Sequence, residues 1–238
     1  MLLYYIRHGD PIYDPDSLTP LGEEQAKALA KRLLLHGVDR VYSSPSARAR
    51  LTAKPICDLL RKEPTVCDWA DEGLAWADFA IPTDNGGYTW AFYVEKVLRA
   101  FHSPAVRALG EKWYEHPDFA EYNFSRGVQR VNTAVDEFLL ELGYRHDREN
   151  ARFEAVEPHQ ERVALFAHQG FGMCFLSSVL DIPYPMFASH FDFGHSSMTV
   201  IQFAESGEYV YPKVLQLSND SHLYREGLLT GYHNIIRF

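Results

Sequence analysis

Apolar positions come in short unbroken runs that end in polar residues. The first, Leu2-Leu3-Tyr4-Tyr5-Ile6, breaks into Arg7-His8-Gly9. A run of this length closed by a turn residue predicts a buried strand that delivers polar side chains at its end. Val163 to Ala167 repeats the pattern as the most apolar strand of the chain, and it also ends in a histidine, followed by Gln169 and Gly170. Arg40 to Ser43 and Thr65 to Asp68 read as shorter strands. Helical spacing lies between them. Thr19 as N-cap and Pro20 at the first helical position start a helix in which Leu21, Ala26, Leu29, Ala30 and Leu33 share a face, closed by His36-Gly37. A second helix begins after Ser44-Pro45-Ser46, and Pro55 inside its pattern predicts a kink or an early end. Ser125 to Leu142 is amphipathic, and Phe171 to Leu180 is an apolar helix stopped by Asp181-Ile182-Pro183. Met198 to Phe203 and Tyr209 to Leu217 alternate as strands around a Ser206-Gly207 turn, as a hairpin would. Residues 10–16 read as a loop and residues 144–160 as a polar surface connection.

This alternation fades after Trp76. Through Phe124 the chain is dense in aromatics, among them Tyr88, Trp90, Phe101 and Trp113, with a turn at Asp84-Asn85-Gly86-Gly87 and helical patterns over 89–100 and 104–115. Residues 77–124 therefore read as a cap inserted over a sheet edge, within a single α/β domain spanning 1–238. Aromatics there could shape a pocket or fill the cap's own core.

A chain of 238 residues with 46% hydrophobic and 23% charged residues suits a globular domain with a substantial core. The net charge of -9 argues against a general nucleic-acid partner, so any anion site is a local island of positive charge. Cys57, Cys67 and Cys174 are odd in number and widely spaced, which suggests neither disulfides nor a zinc ribbon and fits a reducing cytoplasm. No leader pattern or membrane-length apolar run is seen, so a soluble, unprocessed protein without a membrane partner is expected.

The candidate chemistry sits where strands end. Ligands of open α/β sheets collect at the C-terminal edge. There Arg7 offers a planar fork for phosphate oxygens, and Gly9 leaves room for a ligand. Arg48 falls in the first turn of the second helix, where free N–H groups also favour an anion, whereas Arg50 reads as a solvated surface charge. Asp71 and Glu72 lie among aromatic and small residues, a setting that raises a carboxyl pKa and keeps a proton ready for donation. His190 and His195 lack the one-face spacing of zinc motifs, and no metal or cofactor is expected.

Taken together, these motifs resemble the histidine phosphatase superfamily, also called phosphoglycerate mutase-like proteins. Arg7-His8-Gly9 is similar to the family signature, Leu18 to Ala26 to its first helix, and Ser43 to Ala49 with Thr52-Ala53 to its second arginine motif. Ala167-His168-Gln169-Gly170 is similar to its second histidine motif, and Asn219-Asp220-Ser221-His222-Leu223 to an ending found among its bacterial members. The chain departs from the pattern after Gly9. Many members continue with Ser or Thr and then a phosphate-holding Asn, where this chain has Asp10-Pro11-Ile12-Tyr13-Asp14. No Asp follows His168, so the resemblance is to the simpler branch rather than the phytase-like one.

The resemblance implies a three-layer α/β/α sandwich with a mostly parallel central sheet. It implies that His8 becomes phosphohistidine, that Arg7, Arg48, His168 and Gln169 bind the phosphoryl group, and that His168 belongs to the catalytic set. Glu72, favoured by its register against Trp76, or else Asp71, is the general acid. The expected activity is metal-independent hydrolysis of a small-molecule phosphate ester, and the aromatic cap suggests an apolar or ring-bearing leaving group. A cofactor-dependent phosphoglycerate mutase is the alternative, although the Glu-Arg-His-Tyr-Gly run and paired arginines of such mutases are missing. A non-catalytic phospholigand-binding protein is a third reading. The protein is expected to be a monomer or a homodimer.

Overall fold

The computed structural model describes residues 1–204 and 207–232. The first strand, β1 (Leu2–Arg7), leads into a small hairpin of β2 (Pro11–Tyr13) and β3 (Asp16–Leu18) where a loop was expected. Helix α1 (Pro20–Leu34) follows, with the Thr19 side chain accepting from the Gly22 N–H. Then come β4 (Arg40–Ser43), α2 (Ala47–Leu60) and β5 (Thr65–Val66). The third strand is shorter than its pattern predicts, because Asp68–Ala70 turns into a 3₁₀ segment. Helix α2 runs unbroken through Pro55. Leu51, whose carbonyl loses its donor to the proline, lies on the exposed face of the helix, where water can take over that bond.

Residues 77–124 differ most from the predicted pattern. Helix α3 (Glu72–Phe79) runs into a hairpin of β6 (Ala80–Pro82) and β7 (Tyr88–Trp90), so the helix predicted from Thr89 is shortened to α4 (Glu95–Phe101). Gly86, at φ +78°, supplies the turn that makes the hairpin possible. Helix α5 (Pro104–Ala108) gives way to 3₁₀ turns over Gly110–Glu115. Helix α6 (Phe124–Glu141) is amphipathic as predicted.

The polar stretch after α6 is a hairpin of β8 (Tyr144–Asp147) and β9 (Arg152–Ala155), not a surface connection. Its charges neutralise one another, Arg145 with Glu154 at 2.7 Å and Asp147 with Arg152 at 2.9 Å, while Tyr144 and Phe153 are fully buried. Strand β10 (Arg162–Ala167) precedes α7 (Gln169–Leu180) and α8 (Tyr184–His190). After β11 (Met198–Gln202), β12 (Tyr209–Val210) joins β9 rather than β11. Strand β13 (Lys213–Asn219) is the one that pairs with β11, and α9 (Ser221–Arg225) follows it. Ser206 of the expected turn and residues 233–238 of the tail lie outside the described residues.

The main sheet has the order β13-β11-β1-β10-β4-β5, parallel from β1 through β5 and antiparallel at the β11–β13 edge. Alternation along β1 explains the layers. Tyr4 and Ile6 pack with Leu29, Leu33 and Ile56 of α1 and α2, while Leu3 and Tyr5 pack with Val135, Phe138 and Phe175 of α6 and α7. The result is a three-layer α/β/α sandwich. Among the described residues no helix is long and apolar enough to cross a membrane.

Candidate active site

The ends of β1, β10 and β4 bring Arg7-His8, His168 and Ser43-Ser44 to one edge of the sheet. The His8 backbone is held from both sides: its N–H donates to the Ala167 carbonyl at 3.0 Å, and its carbonyl accepts from the Ser196 N–H at 2.9 Å. Only glycine fits next. A Cβ on Gly9 would lie 2.8 Å from the Gly22 carbonyl oxygen, so the turn after His8 presses directly on the start of α1. The Gly9 N–H donates to Thr52 Oγ1 at 2.9 Å, and that hydroxyl donates to the Arg48 carbonyl at 2.7 Å, which ties the signature turn to α2.

His8 is buried, with Nδ1 2.7 Å from its neighbour's carbonyl, Gly9 O. A carbonyl can only accept, so Nδ1 carries the proton and Nε2 keeps its lone pair. Burial, together with His168 and Arg7, holds the imidazole well below its ordinary pKa and therefore neutral. Arg7 is also buried, and its guanidinium donates to the Phe193 carbonyl. Arg48 donates to Asp16 Oδ1 at 2.8 Å, and the other Asp16 oxygen accepts from the Ala47 N–H at 2.7 Å, so one carboxylate both aims the arginine and caps α2. Arg50 is exposed.

His168 is fully buried, with its ring centroid 5.3 Å from that of His8. Its Nδ1 accepts from Arg48 at 3.2 Å, which places its proton on Nε2, donated to Ser44 Oγ at 2.7 Å. The ring thus stands behind Arg48. Gln169 reaches the cavity, but its amide donates to Tyr93 Oη at 3.0 Å and to Asp192. Its backbone N–H, at the first position of α7, has no partner among the described residues and is the group of Gln169 best placed to meet an anion.

Asp71 and Glu72 are separated by their bonds. Asp71 caps α3, accepting from the Gly73 N–H at 2.6 Å. Glu72 lines the cavity and accepts from the Gly170 and Phe171 N–H groups at 3.0 and 2.8 Å. Burial pushes its carboxyl above the ordinary range, against the pull of those two bonds and of Arg48 and Arg7. The cavity measures about 560 Å³, and its walls beyond the charged residues include Tyr13, Trp76, Tyr88 and Trp90, with Gly73, Thr89 and Gln169. Trp90 sits against α7 so closely that a Cβ on Gly170 would come within 2.3 Å of its ring.

Four participants were not singled out as site residues by the sequence, although Ser44 lies within the second arginine motif. Asp16 and Ser44 orient Arg48 and His168, and Asp192 holds Gln169. His195 stacks on His8 at 5.7 Å between ring centroids, with Nδ1 3.2 Å from Asp10 Oδ1. Each is brought in by the fold from a separate loop or strand end. Asp10, in the segment that departs from the family pattern, is likewise bound at Oδ2 by the Thr19 hydroxyl at 2.7 Å.

The α/β/α sandwich with an arginine–histidine pair at the end of its first strand and a second histidine at the end of a neighbouring parallel strand is the arrangement that the resemblance to phosphoglycerate mutase-like proteins implies. Residues 3–74 match the histidine phosphatase superfamily (branch 1). Among curated proteins it is similar to phosphoserine phosphatase 1 of Hydrogenobacter thermophilus, 30% identical over 135 residues. That stretch is 57% of this chain and 56% of the relative, so the match spans about half of each. Among solved structures it is similar to phosphoserine phosphatase of Entamoeba histolytica in complex with 3-phosphoglyceric acid, at TM-score 0.58 and 18% identity, over 93% of this chain and 98% of that one. A mycobacterial glucosyl-3-phosphoglycerate phosphatase with inorganic phosphate matches at TM-score 0.58 and 19% identity, over 93% and 98% of the two chains. At these identities the two structures attest the fold.

Proposed function

We propose that the protein is a metal-independent phosphomonoesterase that works through a phosphohistidine on His8 and acts on a small phosphorylated metabolite. One observation carries this reading: a buried, neutral histidine whose Nδ1 proton is tied to Gly9, so that Nε2 is the free nucleophile, stands in a cavity lined by Arg7, Arg48 and Glu72. The names of the similar phosphatases agree with it.

In the first step Nε2 of His8 attacks phosphorus, the bond to the ester oxygen breaks, and Glu72 gives its proton to the departing alkoxide. In the second, Glu72 takes a proton from water, whose oxygen attacks phosphorus and releases His8 and inorganic phosphate. Arg7, Arg48 and the Gln169 N–H hold the phosphoryl oxygens, donors set in place before charge develops on them. His168, whose ring lies 5.3 Å from that of His8, takes part by holding Arg48 and stands beside the phosphoryl site. Residues 77–124 act as the cap through Tyr88, Thr89 and Trp90. Three cysteines without a disulfide fit a cytoplasmic location.

The test is hydrolysis of an aryl phosphate by the purified protein in the presence of a chelator, beside His8→Ala. Turnover by the wild type alone supports the reading. Turnover by both removes His8 as nucleophile, and loss of wild-type activity on adding chelator overturns metal independence.

A further inference from the structure

The chemistry of the cavity wall separates classes of phosphate ester. Among the described residues that line it, the cations are Arg7 and Arg48, and both stand at the phosphoryl end beside His8. The remaining charged lining residue is Glu72, an acid. A carboxylate on the leaving group would meet no counter-charge among these lining residues and would stand on the side of the acid Glu72.

Beyond these and His8 the wall is formed by Tyr13, Trp76, Tyr88 and Trp90 with Gly73, Thr89 and Gln169 between them, and the aromatics have ring surface to spare. Trp76 is 39% exposed, and Tyr88 and Tyr13 are 64% and 66% exposed. Trp76 meets the buried Trp90 edge to face, with centroids 4.9 Å apart, and Trp90 is in turn locked on Gly170, so the Trp76 ring is braced from behind. Tyr13 lies under the Arg48 guanidinium, 5.4 Å from its ring centre, and so borders the phosphate end of the same cavity. A cavity of about 560 Å³ exceeds what a three-carbon phosphate fills and falls in the range that takes a ring-sized ligand.

We infer that the leaving group of the substrate is an uncharged, ring-bearing alcohol stacked on Trp76 and Tyr88, rather than a carboxylate-bearing one such as serine or glycerate. This rests on the phosphatase reading above and narrows it. Stacking one ring on an aromatic side chain corresponds to a factor of about ten or more in affinity.

Five primary phosphate esters test it: benzyl phosphate and glucose 6-phosphate carry uncharged rings, glycerol 3-phosphate has neither ring nor carboxylate, and phosphoserine and 3-phosphoglycerate carry carboxylates. Their kcat/KM with the wild type and their binding to the His8→Ala protein by calorimetry are both measured. The expected result is that a ring ester exceeds glycerol 3-phosphate and both carboxylates by about tenfold or more. Trp76→Ala and the more exposed Tyr88→Ala should reduce the ring ester's advantage over glycerol 3-phosphate. Equal losses on all esters in both variants would give these aromatics a purely structural role and overturn the inference. A lead for phosphoserine or 3-phosphoglycerate in either measurement overturns it while leaving the phosphatase reading intact. Selective binding of ring esters without turnover does the reverse, supporting the cavity's selectivity and removing the catalysis. Whichever ring ester leads distinguishes an aromatic from a sugar leaving group.

Discussion

Replacing Glu72 by Gln separates its two duties, capping α7 and donating a proton. Both carboxylate oxygens accept from backbone N–H groups, of Gly170 at 3.0 Å and Phe171 at 2.8 Å. An amide has one accepting oxygen, so above the pKa of Glu72, where the wild-type acceptor is charged, Glu72→Gln loses at least one bond worth about 1.5–3 kcal/mol. For a chain of this size that lowers the melting temperature by about 3–12 °C, which leaves the protein folded at assay temperature. The catalytic loss should depend on the ester. A positioned general acid contributes about 10²–10⁴-fold when the leaving group is a poor one. Nitrophenolate leaves without a proton, whereas an alkoxide does not. The assay is kcat/KM, which reports the steps through departure of the leaving group, on 4-nitrophenyl phosphate and on an alkyl phosphate. Glu72→Gln should lose about 10²-fold or more on the alkyl ester and less than about tenfold on the nitrophenyl ester. Equal losses on the two esters, with the melting temperature lowered, would leave Glu72 as a helix cap and nothing else.

The same groups set the pH profile. Burial keeps His8 neutral well below its ordinary range, so NMR of the free protein should show no protonation of the His8 ring as pH falls through about 6, and a His8 titration near 6.5 would contradict that burial. The proton on Glu72 is lost as pH rises through its raised pKa, so activity on an alkyl ester should decline on the alkaline side, and Glu72→Gln should abolish that limb. A second buried histidine governs stability. Burial works against charging His146, but its contacts with Asp136 at 2.9 Å and Asp181 at 3.0 Å outweigh it and hold its pKa above the ordinary value. A raised folded-state pKa contributes stability that is full below about 6.5 and is lost as pH rises through the folded value. Melting temperature should therefore fall as pH rises above about 6.5, and His146→Phe should flatten that dependence. The cost of that variant should lie below the ~3–5 kcal/mol of breaking a buried pair, because Arg148 still pairs with Asp136 at 2.7 Å. Gly170→Ala drives a Cβ to 2.3 Å from the Trp90 ring, and overpacking of this kind costs about 1–3 kcal/mol. A lowered melting temperature together with reduced kcat/KM is expected; no change in either would disprove the tight seating of Trp90.

Local pattern alone determines the scaffold of the site. The apolar runs ending at Arg7-His8-Gly9 and at His168 could only be buried strands, and Thr19-Pro20 and the face of Leu29 and Leu33 could only start and orient a helix, because each signal is carried by neighbours in the chain. Segments whose stability comes from distant partners were not legible in this way. The charges of 144–160 look like those of a surface loop until Arg145, His146 and Asp147 find Glu154, Asp136 and Arg152. Residues 88–90 form a strand by pairing with Ala80–Pro82, and Gly170 leaves the seat for Trp90, a contact that nothing between 88 and 90 records. Tertiary structure also divided the two acids, turning Asp71 into a cap for α3 and placing Glu72 in the cavity wall, since only the position of α7 decides which carboxylate meets its free N–H groups. Likewise, the sequence put an arginine beside a histidine, but Asp16, Ser44 and His195 came to their side from three separate parts of the chain, and only the closed sheet edge brings such side chains within bonding distance.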